Sequence, residues 1–122
     1  MYSYREVLDF VEQEDVKFIR LAYFDVFGQQ KNISIMPAEL ERAFQDGVSF
    51  DASAVPGYGD ESHSDLFLHP DPSTISILPW RPSTGRVVRM YCDICDGNGS
   101  PFAPDPRRIL KEAVSYADSR GY

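Results

Sequence analysis

Between residues 65 and 94 the chain carries three short runs of aliphatic, aromatic and β-branched residues, separated by proline-containing punctuation. The runs are 65–69 (Asp-Leu-Phe-Leu-His), 74–78 (Thr-Ile-Ser-Ile-Leu) and 86–94 (Arg-Val-Val-Arg-Met-Tyr-Cys-Asp-Ile), and Pro70-Asp71-Pro72 and Pro79-Trp80-Arg81-Pro82 lie between them. Proline has no N–H to give to a sheet ladder, so it ends a strand. The residue types inside the runs fit a pleated, half-buried surface. Each run therefore reads as a separate strand.

The rest of the chain adds strands and three helices. Residues 16–24 are rich in β-branched and aromatic side chains, 31–35 alternate polar and apolar, and 48–50 form a third short run. The first two are joined by Asp25-Val26-Phe27-Gly28-Gln29-Gln30, in which Gly28 can take the positive φ of a tight hairpin. Over 3–14, Tyr4, Val7, Leu8 and Val11 recur at helical spacing, and Ser3 followed by Glu6 is a capping-box signature. Pro37 opens a second helix carrying Leu40, Ala43 and Phe44 on one face, with Gly47 at its end. Asp105 caps a third, Pro106 fills its first turn, and Ile109, Leu110, Ala113, Val114 and Ala117 make one apolar stripe. About six strands and three helices make an α+β fold the economical expectation.

At 122 residues the chain fits one domain, 1–122. A domain of that size buries roughly two-thirds of its unfolded surface, enough for one continuous core. Nineteen acidic against twelve basic residues leave a formal charge of -7, with no dense Lys/Arg cluster, so a phosphate backbone or an anionic membrane is disfavoured as partner. The opening residues lack the apolar core of a signal peptide, and cytoplasmic residence is expected. Cys92 and Cys95 form a lone Cys-x-x-Cys, half a zinc site at most, while His63 and His69 lie in another segment. They read as ordinary strand-end cysteines; a redox pair is the weaker reading, because thioredoxin-like pairs open a helix.

Taken by themselves, the residues locate no active site. No nucleophile and base are paired by any pattern, and neither Gly57-Tyr58-Gly59 nor Asp96-Gly97-Asn98-Gly99 matches a phosphate-binding glycine loop. Asp51, Asp60, Glu61 and Asp65, with His63 among them, do not follow a calcium-loop spacing and read as a solvated acidic stretch. What stands out is the length of the loop at 51–64, since loops this long in small domains usually serve a function or move.

In that loop Phe50-Asp51-Ala52-Ser53-Ala54 resembles the Phe-Asp-Gly-Ser-Ser stretch of glutamine synthetases. Further matches follow in order: Ser64-Asp65-Leu66-x-Leu68-x-Pro70-Asp71-x-x-Thr74, Arg89-x-x-Cys92-Asp93-Ile94, and Asp105-Pro106-Arg107. Val16-x-Phe18-Ile19-Arg20-Leu21 and Asp25-x-x-Gly28-x-x-Lys31 are similar to the family's opening hairpin, so the resemblance covers nearly the whole chain. It implies an amino-terminal β-grasp domain of the prokaryotic type I kind, with the catalytic domain absent from these residues.

The resemblance also implies an activity: ATP-dependent ligation of ammonia to glutamate, with Mg2+ or Mn2+, in a ring-shaped homo-oligomer expected to be two stacked hexameric rings. Neither ATP nor metal is expected to bind this segment, whose own activity is expected to be nil. Its loop is expected to enter the adjacent subunit's active site, where Asp51 would be the catalytic carboxylate at the ammonium site and Ser53 and Tyr58 would contact substrate. A carboxylate suits that place, because ammonium is a cation that must lose a proton before its nitrogen attacks. Ala52 and Ala54 depart from the family pattern, the first standing for glycine and the second for serine, so that one hydroxyl is missing. The altered loop raises a first alternative, a γ-glutamylpolyamine synthetase-like ligase using another amine; a second, from a different class, is a non-catalytic interface module.

Overall fold

A computed structural model describes residues 3–51, 55, 65–78 and 85–122. Along the chain come α1 (Tyr4–Gln13), β1 (Phe18–Phe24), β2 (Gln30–Ile35), α2 (Leu40–Asp46), β3 (Val48–Asp51), β4 (Asp65–Pro70), β5 (Ser76–Ile77), β6 (Val87–Cys95) and α3 (Pro106–Ser119). The expected α+β architecture is present. No helix among the described residues is long and apolar enough to cross a membrane.

The strands form one six-stranded sheet in the order β2-β1-β6-β4-β3, with β5 also paired to β6. β1 and β6 run parallel; the other pairs are antiparallel. β6 is the longest strand and lies at the centre, and its alternation puts Val88, Met90, Cys92 and Ile94 on one face. Ile19, Leu21 and Tyr23 of β1 and Leu66 and Leu68 of β4 join them in one core cluster with Val7 and Val11 of α1 and Leu40 and Ala43 of α2.

Local chemistry sets the element ends. Ser3 Oγ accepts from the Glu6 N–H at 3.2 Å while the Glu6 carboxylate accepts from the Ser3 N–H, which completes the capping box of α1. In the β1–β2 turn Gly28 takes φ 79°. The acid that ties the turn is Asp25, only 1% exposed, whose carboxylate accepts from the N–H groups of Phe27 and Gln29 at 2.9 Å each. Pro37 opens a single 3-10 turn, Pro37–Glu39, and the α-helix proper starts at Leu40. Gly47 follows α2 at φ 78°, and a Cβ there would lie 2.9 Å from His69 Nε2, so conformation and space both demand glycine.

One expectation is corrected. The strand read over 74–78 shrinks to Ser76–Ile77, because Asp71 accepts from the Ser73 N–H at 3.0 Å and caps a 3-10 turn, Pro72–Thr74. Thr74 Oγ1 then takes the Tyr91 N–H at 2.9 Å, a donor that a ladder carbonyl would otherwise have accepted. The apolar stripe of α3 exists but does not face this core: no residue of the helix is buried, and Ile109, Leu110, Val114 and Tyr116 are each more than half exposed.

Candidate functional site: the β3–β4 loop mouth and the α3 clamp

The β3–β4 pairing closes the loop at 51–64. Its register runs Val48↔Leu68, Ser49↔Phe67, Phe50↔Leu66, Asp51↔Asp65, so the last pair of the ladder sets two carboxylates opposite each other where the loop leaves and returns. Both are exposed. Directly opposed like charges on a strand pair repel each other. The mouth is held from behind: the Phe50 ring meets Tyr23 with centroids 4.8 Å apart, and Val55, inside the loop, is 6% exposed within the core cluster.

Asp51 is thus placed at the mouth, held by the ladder. Ser53 and Tyr58 lie outside the described residues, as do Ala52, Ala54, Asp60, Glu61 and His63. His69 sits on β4 beside Gly47, away from the loop mouth. Among the described residues no group of three His, Cys, Asp or Glu side chains could hold a metal ion.

A second cluster joins three of the motifs singled out in the sequence. Arg107, at the start of α3, donates to Asp71 after β4 at 2.7 Å and to Asp93 of β6 at 2.5 Å, and Lys111 adds bonds to Asp93 at 2.9 and 3.0 Å. Asp105 is 1% exposed; one of its oxygens accepts from the Arg107 N–H and the other from the Ile94 N–H, each at 3.1 Å. One aspartate therefore caps the helix and bonds it to the central strand. Burial raises the Asp105 pKa against those backbone hydrogen bonds. Burial also works to raise Asp71, but the hydrogen bonds from Ser73 and Arg107 outweigh it and hold its carboxyl below the usual range. In the sequence Asp71, Asp93 and Arg107 belong to three separate motifs with no visible shared role. Their separation along the chain hid it.

Cys92 and Cys95 point to opposite faces of β6, since three residues along a strand reverse the side chain. Burial pushes the Cys92 thiol pKa up, with the Asp93 charge adding to it, which removes thiolate chemistry near neutral pH. The redox-pair reading is corrected on those grounds.

Comparison with known proteins bears on the same elements. The glutamine synthetase β-grasp domain family matches residues 15–97, from just before β1 to just past β6. The chain belongs to that family. The glutamine synthetase of Mycobacterium tuberculosis (strain ATCC 25618 / H37Rv) is 44% identical over 118 residues, covering 95% of this chain and 26% of the relative. That of Halobacterium salinarum is 41% identical over 119 residues, covering 97% and 26%. The cryo-EM structure of Plasmodium falciparum glutamine synthetase superimposes with a TM-score of 0.86 at 23% identity over 99% of this chain and 23% of that one, a likeness of fold. The chain thus spans about a quarter of the length of the curated relatives it matches. The family match stops before α3, the helix that leaves its apolar residues uncovered.

Proposed function

We propose that this β-grasp domain serves a glutamate–ammonia ligase, and that Asp51 supplies a carboxylate to an ammonium site completed by an adjacent subunit. The observation that carries the reading is the Asp51↔Asp65 pair at the loop mouth. Two exposed carboxylates across one ladder step make a negative locus that a small cation relieves. An aspartate withdrawn from water by a neighbouring surface can then take the proton that ammonium must lose before its nitrogen attacks. Ser53 and Tyr58, in the same loop, are proposed to line the substrate.

Because the chain spans about a quarter of the length of its curated relatives, Mg2+ or Mn2+ and ATP are assigned in this proposal to the remainder of a longer polypeptide. The exposed stripe of α3, with Ile109, Leu110 and Val114, is the surface on which that remainder packs, and a ring-shaped homo-oligomer brings the loop to its neighbour. By this reading the 122 residues alone form no glutamine from glutamate, ammonium and ATP. The decisive experiment is Asp51→Asn in the full-length enzyme. The expected result is a loss of about 10²-fold in kcat/KM for ammonium with the KM values for glutamate and ATP little changed, the scale of a displaced proton acceptor. Unchanged ammonium kinetics would remove Asp51 from the site.

A further inference from the structure

The face of the sheet opposite the core carries a pair of arginines that the ligase reading does not use. Register places Ser34, Arg20, Arg89 and Ser76 in one row across β2, β1, β6 and β5, so their side chains leave the same face. Arg20 and Arg89 are direct neighbours on parallel strands, two like charges side by side in a chain whose net charge is -7. Among the described residues the ion pairs go to Lys17, Arg42, Arg86, Arg107, Arg108 and Lys111, and none to Arg20 or Arg89. The rows on either side offer no acid, with Asn32, Ala22 and Tyr91 on one and Phe18 and Val87 on the other.

Arg89 shows the deficit directly. Its guanidinium lies 4.8 Å from the centroid of the Tyr91 ring, and its Nε is buried with no acceptor. A guanidinium in a fixed stack presents its N–H fork in one orientation, which matches the two oxygens of a carboxylate. Phe18, 48% exposed on the same strand face as Arg20, adds apolar area beside the charges.

We propose that Arg20 and Arg89 form a docking site for acidic side chains of a protein segment laid across this sheet face. Charge complementarity selects the occupant. The overall negative charge repels nucleic acid and anionic membranes, whereas a segment with a few carboxylates needs only the local row. The aromatic flanks favour a polypeptide over a bare ion, since Phe18 gains nothing from a small anion. This site is independent of the role of Asp51, which lies on β3, separated from β6 and β1 by β4.

The test titrates the 122-residue chain with a hexaglutamate peptide and follows the arginine Nε–H resonances by NMR, with inorganic phosphate and an oligothymidylate as parallel probes. The expected result is saturable shifts at Arg20 and Arg89 that weaken with salt. A tenfold or greater loss of peptide affinity is expected in R20Q/R89Q, and partial retention in R20K/R89K, which keeps charge without the fork. The unsubstituted chain alone decides the matter if a variant misfolds. Peptide binding that leaves both resonances unmoved overturns the proposal, as does phosphate or oligothymidylate binding as tightly as the peptide.

Discussion

The two places where acidic residues gather in this domain are built on opposite plans. At the foot of α3, Asp71, Asp93 and Asp105 meet Arg107, Lys111 and backbone N–H groups, and the ion pairs and hydrogen bonds there span three parts of the chain. At the loop mouth, Asp51 and Asp65 are set opposite each other by the strand register. Matched charges with satisfied hydrogen bonds make the first place a fastening. At the second place the strand register sets two exposed carboxylates opposite each other at the ends of the loop, an arrangement that adds repulsion to the ladder step.

The largest stability effect should come from breaking the fastening at its buried point. Asp105→Ala removes the helix cap and strands the Ile94 N–H, and should cost about 2–3 kcal/mol in urea unfolding of the chain. Arg107→Met leaves Asp71 and Asp93 without their fork and should cost about 1–2 kcal/mol by the same measurement. An effect below a few tenths in either variant would reduce the cluster to surface ornament.

The fastening should also respond to acid. The Asp71 pKa is lower in the folded than in the unfolded chain, so its stabilisation is present above the ordinary carboxylate value, about 3.9, and is lost as pH falls through the folded value. Asp105, raised, has the opposite sign, its stabilisation fading as pH rises through its folded value. Comparing wild type with Arg107→Met largely cancels the second effect. The stability difference between the two should hold above about pH 4 and shrink as pH falls below it. A gap that holds constant would show that the Asp71–Arg107 bond is not what separates them.

Smaller effects are expected on the other side of the comparison. Asp65→Asn relieves the like-charge step and should leave stability within about 0.5 kcal/mol, neutral or slightly improved. Leu110→Ser should also stay within about 0.5 kcal/mol in the isolated chain, because the residue is 63% exposed. A loss above about 1 kcal/mol there would mean that the stripe of α3 is packed within this chain, against the assignment of that surface to a longer polypeptide.

Much of this was legible in the order of residues. The capping box at Ser3 and Glu6, the cap at Asp105 and the glycines at 28 and 47 follow from local rules that act within four residues, and the strands announce themselves by side-chain type and by the prolines between them. Asp51 could be named because a family motif surrounds it. Asp25 was harder to see, since an acid that turns its carboxylate onto its own hairpin looks like any loop aspartate in a sequence. The extent of β5 was overestimated because nothing local reveals that Thr74 will supply the acceptor for Tyr91.

The sequence by itself determined the elements, most of their ends and the family, because periodicity, capping and turn chemistry are short-range properties of neighbouring residues. Tertiary structure decided what those elements do to one another. Only the parallel pairing of β1 with β6 sets Arg20 beside Arg89, only the β3–β4 register sets Asp51 opposite Asp65, and only the docking of α3 brings Arg107 to both Asp71 and Asp93. Each of these joins residues 14 or more positions apart, and such contacts are selected by burial and pairing of the whole sheet, which no local pattern encodes.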